Sequence, residues 1–287
     1  MMPTPSPRFG TLLDLGRISN LPTVWSNCLA AWLLNGGGSW PSFMLLAAGA
    51  TLLYVGGMFL NDAFDADFDR QFRPERPIPS GKIAERDVWW MGGLLIFFGW
   101  LLLFLLGHTV ALLALALVVA IILYDAIHKR TEAAPLLMGL CRFLLYLVAG
   151  TATFHNVSEP VIWHGLALAA YIVGLSFLAR GESGSGKVTL FPMLFVVAPL
   201  VANLWLNPSR NLLSWLASAA LLAWLIWSVR GLAAGAKLNI GQTVAGLLAG
   251  IVLVDCSAVP DLTMGMALTF LGLFLLARLL QRKIPAT

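Results

Sequence analysis

Charge is what this chain has least of. Only 11% of its 287 residues are Asp, Glu, Lys or Arg, against roughly 25% in a soluble domain, while 59% are hydrophobic and the mean hydropathy is +0.84. A soluble globule is excluded. Cysteine is scarce too: Cys28, Cys141 and Cys256 all fall in apolar stretches without metal-ligand spacing, and they read as small packing residues. The opening MMPTPSPRFG has no apolar core followed by a small-residue cleavage site, so no removable signal is expected.

Long apolar runs are what the chain has instead. Ten of them lie at about 18–36, 41–60, 88–107, 109–128, 135–154, 160–180, 188–206, 211–229, 239–258 and 262–281, each near the roughly 20 residues that cross a bilayer. The expected fold is all-α, one polytopic membrane domain over residues 1–287 with nine to ten transmembrane helices. With the N-terminus on the cytoplasmic side, sixteen of the eighteen Lys and Arg face the cytoplasm, Arg210 lies in an outer loop and Arg142 lies within a span. That is the positive-inside pattern. It accounts for the net charge of +4 without a nucleic-acid partner and leaves the lipid bilayer as the surrounding one. The expected location is a bacterial inner membrane, with the functional site facing the cytoplasm.

An internal repeat organises these runs. Tyr54-Val55-Gly56-Gly57 aligns with Tyr171-Ile172-Val173-Gly174 at an offset of 117. Two four-helix repeats follow, about 18–128 and about 135–229, around a central cavity, with additional helices at about 239–281 appended. The register sets Asp65 against Glu182 across the mouth of that cavity.

The second apolar run leads directly into Asn61-Asp62-Ala63-Phe64-Asp65-Ala66-Asp67-Phe68-Asp69, and then into Arg73-Pro74-Glu75-Arg76-Pro77-Ile78-Pro79-Ser80-Gly81-Lys82. At about 100° per residue, Asn61, Asp62, Asp65 and Asp69 share roughly a 100° arc of one helical face, and Asp67 points away. Three carboxylates on one face repel one another unless a cation neutralises them. An oxygen-only donor set, without His or Cys, suits a hard ion such as Mg²⁺. Arg73, Arg76 and Lys82 would then face the anion such a metal carries, most naturally a diphosphate.

These residues carry a family resemblance. Asn61-Asp62-x-x-Asp65-x-x-x-Asp69 followed by Arg76-Pro77-Ile78-Pro79-Ser80-Gly81 resembles the first aspartate motif of the UbiA superfamily of membrane prenyltransferases. Tyr124, followed after four residues by Lys129-Arg130, resembles a tyrosine of that family. Tyr124-Asp125-Ala126-Ile127-His128-Lys129 together with Cys141-Arg142 resembles its EboC-like branch. The resemblance implies a helical bundle in which a prenyl diphosphate is held through Mg²⁺ and its isoprenoid passes to an aromatic or lipophilic acceptor. It implies metal and catalytic roles for Asp62, Asp65 and Asp69, with Glu182 as a further metal ligand. Substrate binding would fall to Asn61, Arg73, Arg76, Lys82, Tyr124, Lys129, Arg130, Arg142, Arg180 and Glu182.

One departure stands out. The family carries a second Asp-x-x-x-Asp, whereas Ala179-Arg180-Gly181-Glu182-Ser183-Gly184-Ser185-Gly186-Lys187 has a single acid. Either Glu182 serves a second metal alone, or Arg180 replaces that metal as a fixed positive charge. A non-catalytic isoprenoid carrier that keeps the fold is the alternative function. The Asp-Gly-x-x-Ala-Arg element of CDP-alcohol phosphotransferases is absent, and hydropathy excludes the soluble isoprenyl synthases.

Two further ionisable groups in apolar runs need separate weighing. Arg142 is about 10 Å deep at 1.5 Å per residue, where an unpaired charge is costly; Asp125 is its nearest candidate partner by depth, and binding of a phosphate or acceptor is the other reading. Asp255, toward the outer side near Asp261, reads as an interfacial, solvated carboxylate. His108, His155 and His164 fall near outer loops, away from the acidic cluster, and His128 at the inner end of its run.

Overall fold

A computed structural model describes residues 9–154, 156–181, 191–206, 210–233 and 240–284. Among the described residues all regular structure is helical. In chain order the helices are α1 (Phe9–Leu15), α2 (Leu21–Leu34), α3 (Trp40–Phe64), α4 (Ala66–Phe72), α5 (Glu85–Phe104), α6 (His108–Ile127), α7 (Ala134–Phe154), α8 (Glu159–Gly181), α9 (Phe191–Val196), α10 (Ala198–Leu206), α11 (Leu212–Ala233), α12 (Ile240–Ala258) and α13 (Met264–Leu280), with a 3-10 turn at Ile18–Asn20. All ten apolar runs coincide with helices. Seven of the helices are long and apolar enough to cross a membrane: α3, α5, α6, α7, α8, α11 and α12.

Two of the other three runs are interrupted for local reasons. Arg17 adopts a left-handed conformation, φ 42°, and the tight turn after it delays α2 until Leu21. Gly36 and Gly37, with φ of 88° and 72°, close that helix at 14 residues. The run at 188–206 is broken at Val197, just ahead of Pro199, which has no N–H to continue the ladder. α13 keeps 17 residues.

Helix α12, expected as an appendage, lies at the centre. It packs against α2, α8, α11 and α13, and 72% of its apolar window is buried, against 22% for α11. The periphery is apolar as well. Leu94, Phe97, Phe98 and Leu101 of α5 and Leu112, Leu115, Val119 and Ile122 of α6 are exposed, as suits helices that face lipid.

The helix that carries the acidic residues is held by backbone contact. Gly49 and Gly56 of α3 face Gly99 and Gly92 of α5, a small-residue seam that lets two helices approach closely. A Cβ on Gly56 would lie 2.9 Å from the Ile96 nitrogen and 3.0 Å from the Gly92 oxygen, and one on Gly99 would lie 2.9 Å from the Leu53 nitrogen. Gly93, next in sequence to Gly92, would meet nothing within 4 Å. Gly56→Ala should therefore force the pair apart and cost about 1–3 kcal/mol. Gly93→Ala should be neutral, or stabilising by up to about 1 kcal/mol from helix propensity. Thermal denaturation followed by size-exclusion chromatography in detergent compares them, and equal behaviour would rule out the seam as a stabilising contact.

Candidate functional site

Helix α3 ends at Phe64, yet its direction continues. Asp65 stays near helical dihedrals (φ −84°, ψ −4°), its N–H reaches the Asn61 carbonyl at 3.0 Å, and the Asp69 N–H reaches the Asp65 carbonyl at 2.8 Å. One face thus persists from Asn61 through α4. Asn61, Asp62, Asp65 and Asp69 are buried on it, while the Asp67 side chain is 94% exposed and pairs with Arg70.

Each buried acid meets cations from elsewhere in the chain. Asp62 is 3.5 Å from Arg17 and 3.9 Å from Arg76. Asp65 is 2.9 Å from Lys129 Nζ and 3.4 Å from His128 Nε2. Asp69 has Lys129 Nζ at 3.8 Å, and its Oδ1 is buried with no hydrogen bond. Lys129 in turn sits 3.6 Å over the Phe68 ring, and Tyr124 stacks on His128. Burial pushes the Asp65 carboxyl up, but the hydrogen bonds from His128 and Lys129 outweigh it and hold the group below its ordinary value. Burial raises Asp69 above its ordinary value, and Lys129 offsets only part of that.

The segment after α4 is tied down by its own apolar residues. Ile78 and Ile83 pack with Leu15, Phe59, Ala63, Ala66 and Val88, and Gly81, at φ 72°, turns the chain so that the Lys82 N–H reaches the Pro77 carbonyl. Arg76 is thereby drawn inward, whereas Lys82 is exposed.

The acidic face opens on a cavity of about 490 Å³, lined in part by Arg17, Asp65, Arg73, Arg76, Lys129 and Arg180. Asn61, Tyr124 and Arg142 also line it; Asp62, Asp69, Lys82 and Arg130 do not. Deeper in the bundle a chamber of about 90 Å³ shares Tyr54, Met58, Tyr124, Met138 and Arg142 with the cavity and is otherwise mostly aliphatic.

Several expectations are corrected. The carboxylates do not converge on one another: among the described residues no three His, Cys, Asp or Glu side chains form a metal-binding group, because Asp62 and Asp65 turn to separate basic partners. The donor set still fits a hard divalent ion, being all oxygen and including the unbonded Asp69 Oδ1. Arg142 does not pair with Asp125. Its guanidinium donates to Asn27 Oδ1 (2.7 Å) and Thr23 Oγ1 (3.1 Å), and Asp125 accepts from Asn61 Nδ2 (2.9 Å). Asp255 is fully buried rather than interfacial, since α12 is central, and it accepts from Ser26, Asn27 and Tyr146. Arg180 donates to the backbone carbonyls of His128, Thr131 and Glu132, tying the end of α8 to the loop that carries Lys129. Glu182, like His155, lies outside the described residues.

Sequence reasoning missed Arg17 as a site residue. Its only signal was a basic position before the first apolar run, where topology already accounted for it. The closeness of Asp125 to Asn61 had no signal in the spacing, because 64 residues separate the two.

The sequence model of the UbiA prenyltransferase family matches residues 19–255. The digeranylgeranylglyceryl phosphate synthase of Natronomonas pharaonis is 31% identical over 189 residues, which cover 65% of this chain and 57% of that protein. A 4-hydroxybenzoate octaprenyltransferase of Polynucleobacter asymbioticus is 37% identical over 122 residues, 41% of this chain and 42% of that one. The matched stretches thus span about half the length of these relatives. Among solved structures, a digeranylgeranylglyceryl phosphate synthase superposes with a TM-score of 0.63 at 19% identity, over 87% of this chain and 98% of that one. A UbiA homolog from Archaeoglobus fulgidus bound to GPP and Mg²⁺ gives 0.54 at 14% identity, over 94% and 96%. At such identities the likeness is one of fold.

The Asp65–Lys129 pair yields a stability test. At pH 7, Lys129→Met should cost between the about 1 kcal/mol of an exposed pair and the about 3–5 kcal/mol of a buried one. Because the Asp65 value is depressed in the folded state, the pair's contribution is fully present above the ordinary carboxylate range, near pH 4, and is lost as pH falls through the lowered value. The gap in melting temperature between wild type and variant should hold from pH 7 to about pH 4 and close below it. A gap that persists into stronger acid would mean that Lys129 stabilises by packing on Phe68 instead.

Proposed function

The chain belongs to the UbiA prenyltransferase family, and from that premise we propose that it is an integral-membrane, Mg²⁺-dependent prenyltransferase that moves an isoprenoid from a prenyl diphosphate to a lipophilic or aromatic acceptor. One juxtaposition carries the reading: buried Asp62, Asp65 and Asp69 meet Arg17, Arg76 and Lys129 where a cavity leads to an apolar chamber. A prenyl diphosphate is divided in the same way, into an anionic head and an apolar tail.

Asp62, Asp65, Asp69 and Glu182 are the residues that would hold the divalent ion, which when bound neutralises charge building on the departing diphosphate. Arg17, Arg73, Arg76 and Lys129 supply charge-assisted hydrogen bonds to the diphosphate oxygens. Lys82 and Arg130, exposed beyond the cavity lining, add positive potential that draws the anion in. The start of the tail lies among Val24, Leu53, Leu117, Ile121 and Leu145, which keep water from the allylic carbon, and the rest extends among the apolar helices or into lipid. Tyr124 and Arg142 border both compartments and orient the acceptor, Asn61 holds the acidic face, and Arg180 steadies the loop that carries Lys129. The names of the relatives support an allylic donor such as geranylgeranyl diphosphate. Their acceptors differ, so ours stays at the level of its class.

On this reading α2, the α9–α10 pair and α13 cross the bilayer with the seven longer helices, and both termini and the site face the cytoplasm. Sixteen cytoplasmic basic residues support that arrangement. The packing of α3 on α5, paralleled by that of α8 on α9 and α10, supports two four-helix halves. The lone acid after α8 favours a second reading as an isoprenoid carrier, which would bind the same ligand without cleaving it.

Purified protein incubated with labelled geranylgeranyl diphosphate and a membrane extract should release diphosphate and form a prenylated product only with Mg²⁺. Binding without release would favour the carrier, and no binding would sink both readings. Asp65→Asn should weaken Mg²⁺-dependent donor binding by roughly a hundredfold, whereas Asp67→Asn should leave it within about twofold, as fits an exposed position. Equal losses would refute the shared helical face. For topology, terminal tags should resist external protease in intact cells while a reporter near Glu159 is cleaved; termini on opposite sides would leave nine spans.

A further inference from the structure

Asp125 of α6 is buried in the bundle at 4% exposure. Its Oδ1 accepts from Asn61 Nδ2 at 2.9 Å, and its Oδ2 is buried with no hydrogen-bond partner. A carboxylate oxygen left unsatisfied in an apolar setting is costly. No cation lies within ion-pair distance in the described structure to compensate it, since the basic side chains that face it are engaged elsewhere: His128 on Asp65, Arg17 on Asn61 and Asp62. Stability alone therefore gives no reason for a carboxylate here.

Its position supplies one. Asp125 lines the apolar chamber, while its neighbour Tyr124 lines both chamber and cavity. Through Asn61 it is one hydrogen bond from the residue that precedes Asp62. It thus stands at the seam between the charged mouth and the apolar interior. A prenyl diphosphate with its head at the mouth and its tail in the chamber has its allylic carbon at that same seam.

We infer that Asp125 is a catalytic residue of the transfer, acting on the reacting carbon and then as the base. This rests on the prenyltransferase reading above. In the reaction the bond from the allylic carbon to the diphosphate oxygen breaks, and its electron pair leaves with the diphosphate. A pair from the acceptor forms the new bond to that carbon. The acceptor must then lose the hydrogen carried by its attacking oxygen or ring carbon, and Asp125 Oδ2 takes this proton and later returns it to water at the mouth. While the carbon is cationic, the carboxylate is a fixed negative charge that stabilises it.

The test needs no knowledge of the acceptor. Asp125→Asn keeps the size of the side chain and an oxygen to accept from Asn61, but removes the charge. Two probes are compared in the presence of Mg²⁺: geranylgeranyl thiolodiphosphate, which does not ionise, and a geranylgeranyl ammonium analogue with inorganic pyrophosphate, which mimics the cation and leaving group. The variant should bind the first within about twofold of wild type and the second at least about tenfold more weakly, and Asp125→Glu should restore much of the loss. Undiminished affinity for the ammonium analogue would overturn the proposal, and so would equal loss of both probes, which would make Asp125 a structural support of Asn61. Should the variant fail to fold, the wild type decides: dicyclohexylcarbodiimide at mildly acid pH should label Asp125, and the thiolodiphosphate with Mg²⁺ should protect it. Absence of labelling or of protection would overturn the proposal. Wild type that binds neither probe would defeat the prenyltransferase reading itself, and this inference with it.

Discussion

Carboxylates at the end of an apolar helix stay charged only if cations are brought to them, and one end of this bundle is arranged around that requirement. Asp62 draws on Arg17 and Arg76, while Asp65 and Asp69 draw on Lys129. Three separated stretches of chain must therefore reach the end of α3: the segment before α2, the Arg-Pro-Ile-Pro-Ser-Gly loop and the turn after α6. Each is fixed by a device of its own. Arg17 takes a left-handed conformation and its carbonyl accepts from Tyr54. The loop is pinned by Ile78 and Ile83, and the turn by Arg180.

What could be read without the structure was whatever repeats at short range. Positions 61, 62, 65 and 69 share a face because helical geometry is local, and the exposure of Asp67 follows from the same rule. The apolar runs likewise located every long helix. Contacts between distant segments left no such trace. Arg17 meets Asp62 across 45 residues, and nothing in its neighbourhood distinguishes it from a basic residue that merely sets orientation. The burial of Asp255 was misread because hydropathy reports that a run is apolar, not where in the bundle it lies. Two runs were drawn as unbroken spans for a related reason: hydropathy averages over the glycines that close α2 and the proline after Val197.

The two halves of the chain carry their chemistry unequally. In the first, the continuation of α3 carries three buried acids and presents Asp65 to the cavity. In the second, the end of α8 presents Arg180, whose hydrogen bonds are spent on carbonyls at the end of α6. A helix end with exposed carbonyls attracts positive charge, so the guanidinium satisfies that end while it positions Lys129. The second half thus serves the site of the first through the backbone.

The glycine seam between α3 and α5 also has a mechanical meaning. Two helices whose backbones touch at Gly49, Gly56, Gly92 and Gly99 cannot slide or splay independently, because there are no side chains between them to rotate out of the way. They behave as one double-thickness beam, and the acids at its tip inherit its stiffness. The helical ladder is interrupted instead between α9 and α10, at Val197, and an interrupted ladder bends more readily. The stiff part of the molecule is thereby the one that carries the buried acids, and the helix pair where the ladder breaks carries none.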